Sequence, residues 1–225
     1  RYRLLTYKAW DGKKMLCDEI LNKAQYDGIL NSDTSPEITR ANYDQEPIDA
    51  VGRLYTGFQE YEVVPEDIQF IDCYTDTADE GNDYLCSIIY AVCNADAYVL
   101  DVIYTRDAME ITEPLLASKI TEHKVNHCRV ESNNGGRGFG RSVMRIARED
   151  LNNDITSFSF FYQDKNKVSR ISTNSTGVMR RIKFPTGWQV LYPDYFKAMY
   201  RYQAGGSNAH DDAPDATTGV YEYLP

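Results

Sequence analysis

From Ile68 onward, short apolar runs alternate with polar breaks rich in glycine, asparagine and aspartate. Ile68, Phe70 and Ile71 open the first run, which ends near Asp76. Apolar, β-prone runs of this length bounded by turn residues predict strands. Residues 84–92 (YLCSIIYAV) and 98–104 are two more, joined by Asn94-Ala95-Asp96, which predicts an antiparallel hairpin. A helix follows, with Thr112 as its cap, Glu113 and Pro114 in its first turn, and Leu116, Ile120 and His123 along one side. Residues 127–132 predict a strand ending at Glu131. The glycine-rich loop 133–140 leads into a second helix, through Leu151, and 156–162 (TSFSFFY) is a fifth strand. Beyond it come a basic, polar helix near 167–175, a short extended piece at 182–185, a helix over 192–202 and a last helix starting near His210-Asp211-Asp212. Three strands in a meander, then strands alternating with helices, predict an α/β fold. Its mixed five-stranded sheet has an antiparallel meander plus parallel strands, with helices on both faces.

Before this pattern begins, residues 1–60 are polar and tyrosine-rich, with helical pieces near 18–24 and a helix start at Thr34-Ser35-Pro36-Glu37. They read as an arm or linker leading into a main domain at 61–225. Hydrophobic residues make up 42% of the 225, which supports a packed core and excludes wholesale disorder. No apolar run reaches membrane-spanning length, and no basic-then-apolar leader opens the chain, which reads as cut from something longer. Cys17, Cys73, Cys86, Cys93 and Cys128 form no C-x-x-C pair and read as reduced core residues of an intracellular protein. A net charge of −10 argues against non-specific nucleic-acid binding by the whole surface, so such binding needs a local basic track.

Two tracks are candidates. Arg137, Arg141, Arg145 and Arg148 share one face of the second helix, opposite Phe139, Val143, Ile146 and Ala147. Such a stripe is equally an ordinary solvated face. Arg170, Arg180, Arg181 and Lys183 form the other. The glycines of 133–140 fit neither a dinucleotide fingerprint nor a P-loop, so no nucleotide cofactor is expected. The 18 tyrosines are spread too widely to single any out as base-stacking residues.

The acidic turn that closes the first strand, Asp76 to Asp83, is by itself either a solvated turn or a site for a hard cation. Two further groups change its weight: Glu131 at a strand end, and Asp211-Asp212 with Asp215 one helical turn on. Strand ends and helix starts are where α/β sheets gather their site residues. Separated carboxylates meeting in one place suit two cations roughly 3.5–4 Å apart, as in two-metal phosphodiester hydrolysis. Asp72 shares the strand face of Asp76 and competes with it for the role.

Three segments carry a resemblance to a known family. Asp76-Thr77-Ala78-Asp79-Glu80-Gly81-Asn82-Asp83-Tyr84, Glu131-Ser132-Asn133-Asn134-Gly135 and His210-Asp211-Asp212-Ala213-Pro214-Asp215-Ala216 resemble, in order, three motifs of the nuclease domain of the large terminase subunit of tailed bacteriophages. Lys167-x-x-Arg170-Ile171 with Lys183-Phe184-Pro185 resembles the stretch between that domain's fifth strand and last motif. The resemblance runs from about Ile68 to the C-terminus and implies a ribonuclease H-like fold. It also implies a Mg²⁺- or Mn²⁺-dependent endonuclease that uses two ions to cut concatemeric double-stranded viral DNA during packaging. On it, Asp76, Glu131 and Asp212 are catalytic: Asp76 bridges both metals, Glu131 holds one and Asp211 or Asp212 the other, with Asp83 a variable ligand. His210 is either a site residue or part of the helix start. Arg137, Arg141, Arg145, Arg170 and Lys183 are the DNA contacts. No Walker A motif is present, so residues 1–60 would lead from an ATPase domain of the full-length chain. Portal and small terminase subunit would be partners, and the bacterial host cytoplasm, transiently at the procapsid portal, the place of action, with no membrane involved. A Holliday-junction resolvase or transposase-like enzyme of the same fold, and a non-catalytic docking module of the packaging motor, are the alternatives.

Overall fold

The computed structural model describes residues 7–32, 43, 52–77, 84–205, 208 and 210–225, without the side chains of residues 30–32 and 134. The chain divides into two compact units, Arg1–Gly52 and Arg53–Pro225. In the first, Trp10 bridges to Met15 and helix α1 spans Lys23–Ser32. Asn22 and Gln25 exchange side-chain-to-backbone hydrogen bonds at its start, a capping box that places the first turn after Asn22 and not at the expected 18. The helix start expected at Thr34–Glu37 lies outside the described residues.

The second unit is a mixed sheet of seven strands in the order β1-β7-β4-β3-β2-β5-β6. These are β1 (Gln59–Tyr61), β2 (Phe70–Asp76), β3 (Leu85–Cys93), β4 (Asp96–Thr105), β5 (His127–Glu131), β6 (Ser157–Phe161) and β7 (Ile182–Pro185). The five expected strands are present, with β2-β3-β4 antiparallel and β2-β5-β6 parallel. The count of five is corrected to seven: β7 runs parallel to β4, and β1 parallel to β7. Both additions are too short to show a period-two pattern, and the sheet itself makes them strands.

Every residue of β3 is buried, as expected for a central strand covered on both faces. Cys73, Ile89, Val130 and Phe139 belong to the core under α2 (Met109–Glu122) and α3 (Gly136–Arg145), the latter extended by a π-helical turn, Ile146–Asp150. Tyr74, Ile88, Phe184 and Trp188 belong to the core on the other face, under α4 (Lys167–Arg181), the short α5 (Trp188–Leu191), α6 (Pro193–Arg201) and α7 (Asp212–Glu222). Helix α2 starts at Met109, three residues before the expected cap, and encloses Thr112 and Pro114. Thr112 donates its backbone N–H to Ala108, so it is already inside the helix. Asn166 caps α4 by accepting from the Ser169 N–H at 3.0 Å.

Four cysteines are buried and free, whereas Cys17 is exposed, which corrects its assignment to the core. Tyr55 and Phe58 pack into the same aromatic core as Trp188 and Phe184, so this part of the presumed arm belongs to the second unit. Among the described residues no helix is long and apolar enough to cross a membrane.

Candidate metal centre

Strands β2 and β5 are parallel neighbours, so their C-terminal ends emerge side by side, with Asp76 closing one and Glu131 the other. Helix α7 lies across the Tyr74 face of β2. A Cβ on Gly219 would lie 2.1 Å from the Tyr74 ring, so only glycine permits that approach. The result brings Asp215, in the first turn of α7, to the same place. Asp76, Glu131 and Asp215 each offer a carboxylate oxygen within 4.8 Å of the others. Their residues are 6%, 3% and 1% exposed, too little for water to carry three charges there unaided.

The structure thus brings together Asp76, Glu131 and Asp215, and leaves the expected Asp211 and Asp212 beside this group. Asp211 is the N-cap of α7 and its side chain is about a third exposed (35%). Asp212 is buried but turned toward β3, accepting the Tyr84 N–H at 3.2 Å. By the helical repeat all three aspartates lie toward one side of α7, and their partners separate them: Asp212 is held by the Tyr84 N–H, Asp211 stands at the partly exposed cap, and Asp215 is one turn further in. Asp83 lies outside the described residues. Asp72 stands apart from this group: its carboxylate pairs with Arg129, which lies against the Tyr223 ring.

Lys167, at the start of α4, holds its Nζ 3.7 Å from Asp76 Oδ2, 3.4 Å from Asp215 Oδ2 and 3.8 Å from Asp211 Oδ1. Sequence reading placed this lysine near the site only through the resemblance, because a lone Lys at a helix start carries no local signal. Burial opposes its charge, but the surrounding aspartates outweigh burial and hold its pKa above the ordinary lysine value. Burial pushes Asp76 well above the carboxylate range, partly offset by Lys167 and reinforced by Glu131 and Asp215. Glu131 is raised by burial and by Asp215. Asp215 is raised by burial, against the pull of Arg170 and Lys167.

One oxygen of each acid, Asp76 Oδ2, Glu131 Oε2 and Asp215 Oδ2, is buried without a hydrogen-bond partner. An all-oxygen donor set of this kind, acceptor-only and facing inward, fits a hard divalent cation such as Mg²⁺ or Mn²⁺.

Of the expected DNA contacts, Arg137, Arg141 and Arg145 are exposed on α3, whose opposite face buries Phe139 and Val143. Arg170 and Lys183 lie on other elements, α4 and β7. Arg170 is buried and bonded to Asp215 and Glu222. Lys183 pairs with Asp96 at 2.7 Å on β7, beside the start of β4. The antiparallel register puts that point opposite Ala91 and Ile71, at the other end of the sheet from Asp76. His210 is engaged too: Arg106 Nη2 lies 2.9 Å from its Nε2, which must accept and so spends the lone pair a metal would need. His123 and His127 contact Asp101 and Ser159, consistent with the structural roles expected of them.

Gly136, at the head of α3, sits directly on the Glu131 backbone. A Cβ there would fall 2.0 Å from the Glu131 carbonyl oxygen and 2.4 Å from Thr77 Oγ1. Gly136→Ala is expected to lower stability by about 1–3 kcal/mol and to weaken divalent-ion binding by displacing Glu131. Denaturant melts alongside calorimetric Mn²⁺ titration check both, and an unchanged titration would refute the displacement.

Residues 73–224 match the family model described as terminase RNaseH-like domain. The chain belongs to that family. The matched span takes in all three carboxylates of the centre and every strand but β1 in whole or in part. Among solved structures, the large terminase of a thermophilic bacteriophage is similar at a TM-score of 0.51 and 12% identity, over 93% of this chain and 55% of that one. This terminase-family chain therefore spans about half the length of that relative. Also similar are the human cytomegalovirus terminase nuclease domain, Mn-soaked and inhibitor-bound, with TM-score 0.49, 12% identity, 73% of this chain and 88% of that one, and the large terminase nuclease domain of bacteriophage SPP1 with bound Mn, with TM-score 0.48, 15% identity, 75% and 97%. No curated protein matches the sequence.

Proposed function

We propose that this terminase-family domain is a divalent-metal-dependent endonuclease that cuts double-stranded DNA during viral genome packaging. The observation that carries the reading is the group of buried carboxylate oxygens on Asp76, Glu131 and Asp215 that lack a hydrogen-bond partner. Two Mg²⁺ or Mn²⁺ ions held there would supply water activation and charge neutralisation at the scissile phosphate. The chain's own residues do the rest. Asp76, Glu131 and Asp215 would hold the ions, with Asp76 the acid shared between them. Lys167 offsets the mutual repulsion of the acids, its ammonium standing in ion-pair range of two of the three. Arg137, Arg141 and Arg145 follow Glu131 on an exposed helix face and form the phosphate track, which positions DNA without reading its sequence.

Residues ahead of the sheet are the linker from an ATPase part of a longer chain, with portal and small terminase subunit as partners at the procapsid in the host cytoplasm. The net charge of −10 suits a nuclease that relies on such partners to present DNA, since its own surface attracts DNA weakly.

Plasmid nicking tests the reading. Wild type with Mn²⁺ is expected to convert supercoiled DNA to open-circular and linear forms, and a chelator to stop it. Asp215→Asn is expected to lose on the order of 10³-fold in rate, equivalent to several kcal/mol of lost metal-assisted stabilisation. Asp212→Asn, which sits outside the cluster, is expected to lose far less. The reverse ranking of the two variants would move the third ligand back to Asp212.

A further inference from the structure

The buried arginine that was expected to touch DNA does something else. Arg170 has a side chain 3% exposed. Its Nη1 donates to Asp215 Oδ1 at 2.7 Å. Its Nη2 and Nε donate to Glu222 Oε2 at 2.8 and 3.2 Å. Glu222 stands two helical turns after Asp215 on α7, and its other oxygen lies 3.4 Å from Asn174 Nδ2 on α4. One guanidinium therefore ties α4 to α7 through two carboxylates. Lys167, one turn before Arg170 on α4, approaches the opposite oxygen of Asp215, Oδ2, at 3.4 Å. The oxygen held by Arg170 is spoken for; the one left without a hydrogen bond is Oδ2.

Resting on the reading of Asp215 as a metal ligand, we propose that Arg170 and Glu222 are positioning residues that fix the Asp215 carboxylate. Arg170 immobilises Oδ1 so that Oδ2 turns toward Asp76 and Glu131, and Glu222 holds Arg170 in place. A network of three buried or half-buried charges is a poor way to gain stability, because desolvation offsets the attraction. What a rigid fork does supply is direction, and outer partners of ligating carboxylates typically govern metal affinity by 10–100-fold. Lysine keeps the charge but has no fork to hold two carboxylates at fixed angles.

The test is a double-mutant cycle read by Mn²⁺ calorimetry on the whole chain, with circular dichroism reporting the fold. Arg170→Met is expected to raise the Mn²⁺ Kd by about 10–100-fold, and Arg170→Lys to recover only part of that. In an Asp215→Asn background the same Arg170→Met change is expected to add almost nothing, because the group it positions is already gone. A purely structural role for Arg170 predicts equal losses in both backgrounds, and that result overturns the proposal. Should Arg170→Met fail to fold, Glu222→Gln on the half-exposed end of the network decides: a roughly tenfold weaker Kd supports it, and an unchanged Kd overturns it. A wild type that binds no Mn²⁺ refutes the metal-centre reading itself. Binding that is tight in wild type and indifferent to Arg170 and Glu222 refutes only the positioning role.

Discussion

Asp76→Asn is expected to abolish metal-dependent cleavage and, at the same time, to raise the melting temperature of the metal-free protein. The two effects share one cause. Asp76 is nearly sealed from water and meets Glu131, Asp215 and Asp212 around it, so burial first and like charge second make its ionised form unfavourable. Asparagine keeps the shape and removes the charge. Relief of this kind commonly stabilises by about 0.5–2 kcal/mol, or roughly 2–4 °C per kcal/mol in a domain of this size. Lys167 moderates the gain, since the variant costs it one partner. The rate moves the other way. Under the proposed function, losing this acid removes several kcal/mol of transition-state stabilisation, about 10³-fold or more in rate. Nicking rates in Mn²⁺ and thermal melts in chelator measure the pair. A variant that melts lower than wild type would mean that Asp76 is held by contacts it needs for folding, and the trade between stability and function would fail.

Metal and pH are expected to act on stability in opposite directions. Asp76, Glu131 and Asp215 all have folded-state pKa values raised above the ordinary carboxylate range, each chiefly by burial. The native state therefore binds more protons than the unfolded state in the window from that range up toward neutrality. Across it, the stability of the metal-free protein falls as pH rises. Asp101 pulls the other way: burial opposes its charge, but His123 and Lys119 outweigh it and hold its pKa down. Its contribution is present above its unfolded value and lost below, which sets the acid limit of the window. Mn²⁺ requires the deprotonated acids, so it displaces protons and binds better as pH rises. At about 100 times Kd a ligand adds about 2.7 kcal/mol of stability. Melts at about pH 5 and about pH 8, each with chelator and with Mn²⁺, are expected to show a much larger metal gain at the higher value. Equal gains at both would exclude ligands with raised pKa values.

Much of this architecture is visible in the amino-acid order. Residues 84–92 form an unbroken apolar run because β3 is covered on both faces, and the Asn94-Ala95-Asp96 turn announces the hairpin, with Asn94 and Ala95 at positive φ. β7 shows as the short extended piece at 182–185 but its place in the sheet does not, and β1 does not show at all, since three residues carry no period and only a neighbouring strand makes them one. Two of the three acids are legible because strand ends are marked by the loss of apolar residues. The third depends on partners at the end of a helix. Asp211, Asp212 and Asp215 lie toward one side of α7, and the sequence alone does not say that Asp212 is taken up by the Tyr84 N–H while Asp215 reaches the other two acids. The same limit explains Arg170 and Lys183. Both are basic residues near the motifs, yet one is buried against the acids and the other sits at the far end of the sheet. Charge is read from the sequence; what a charge faces is decided by packing.

Asp76, Glu131 and Asp215 are far apart along the chain and meet only when β2, β5 and α7 have all docked. Contacts at such separation must overcome loop-closure entropy before they return any stability. A chain still collapsing presents three solitary, hydrated acids and no cage for an ion. Under the proposed function, the cutting edge is thus the last part of the blade to be ground, and a newly made or half-unfolded molecule cannot damage the genome it was made to trim.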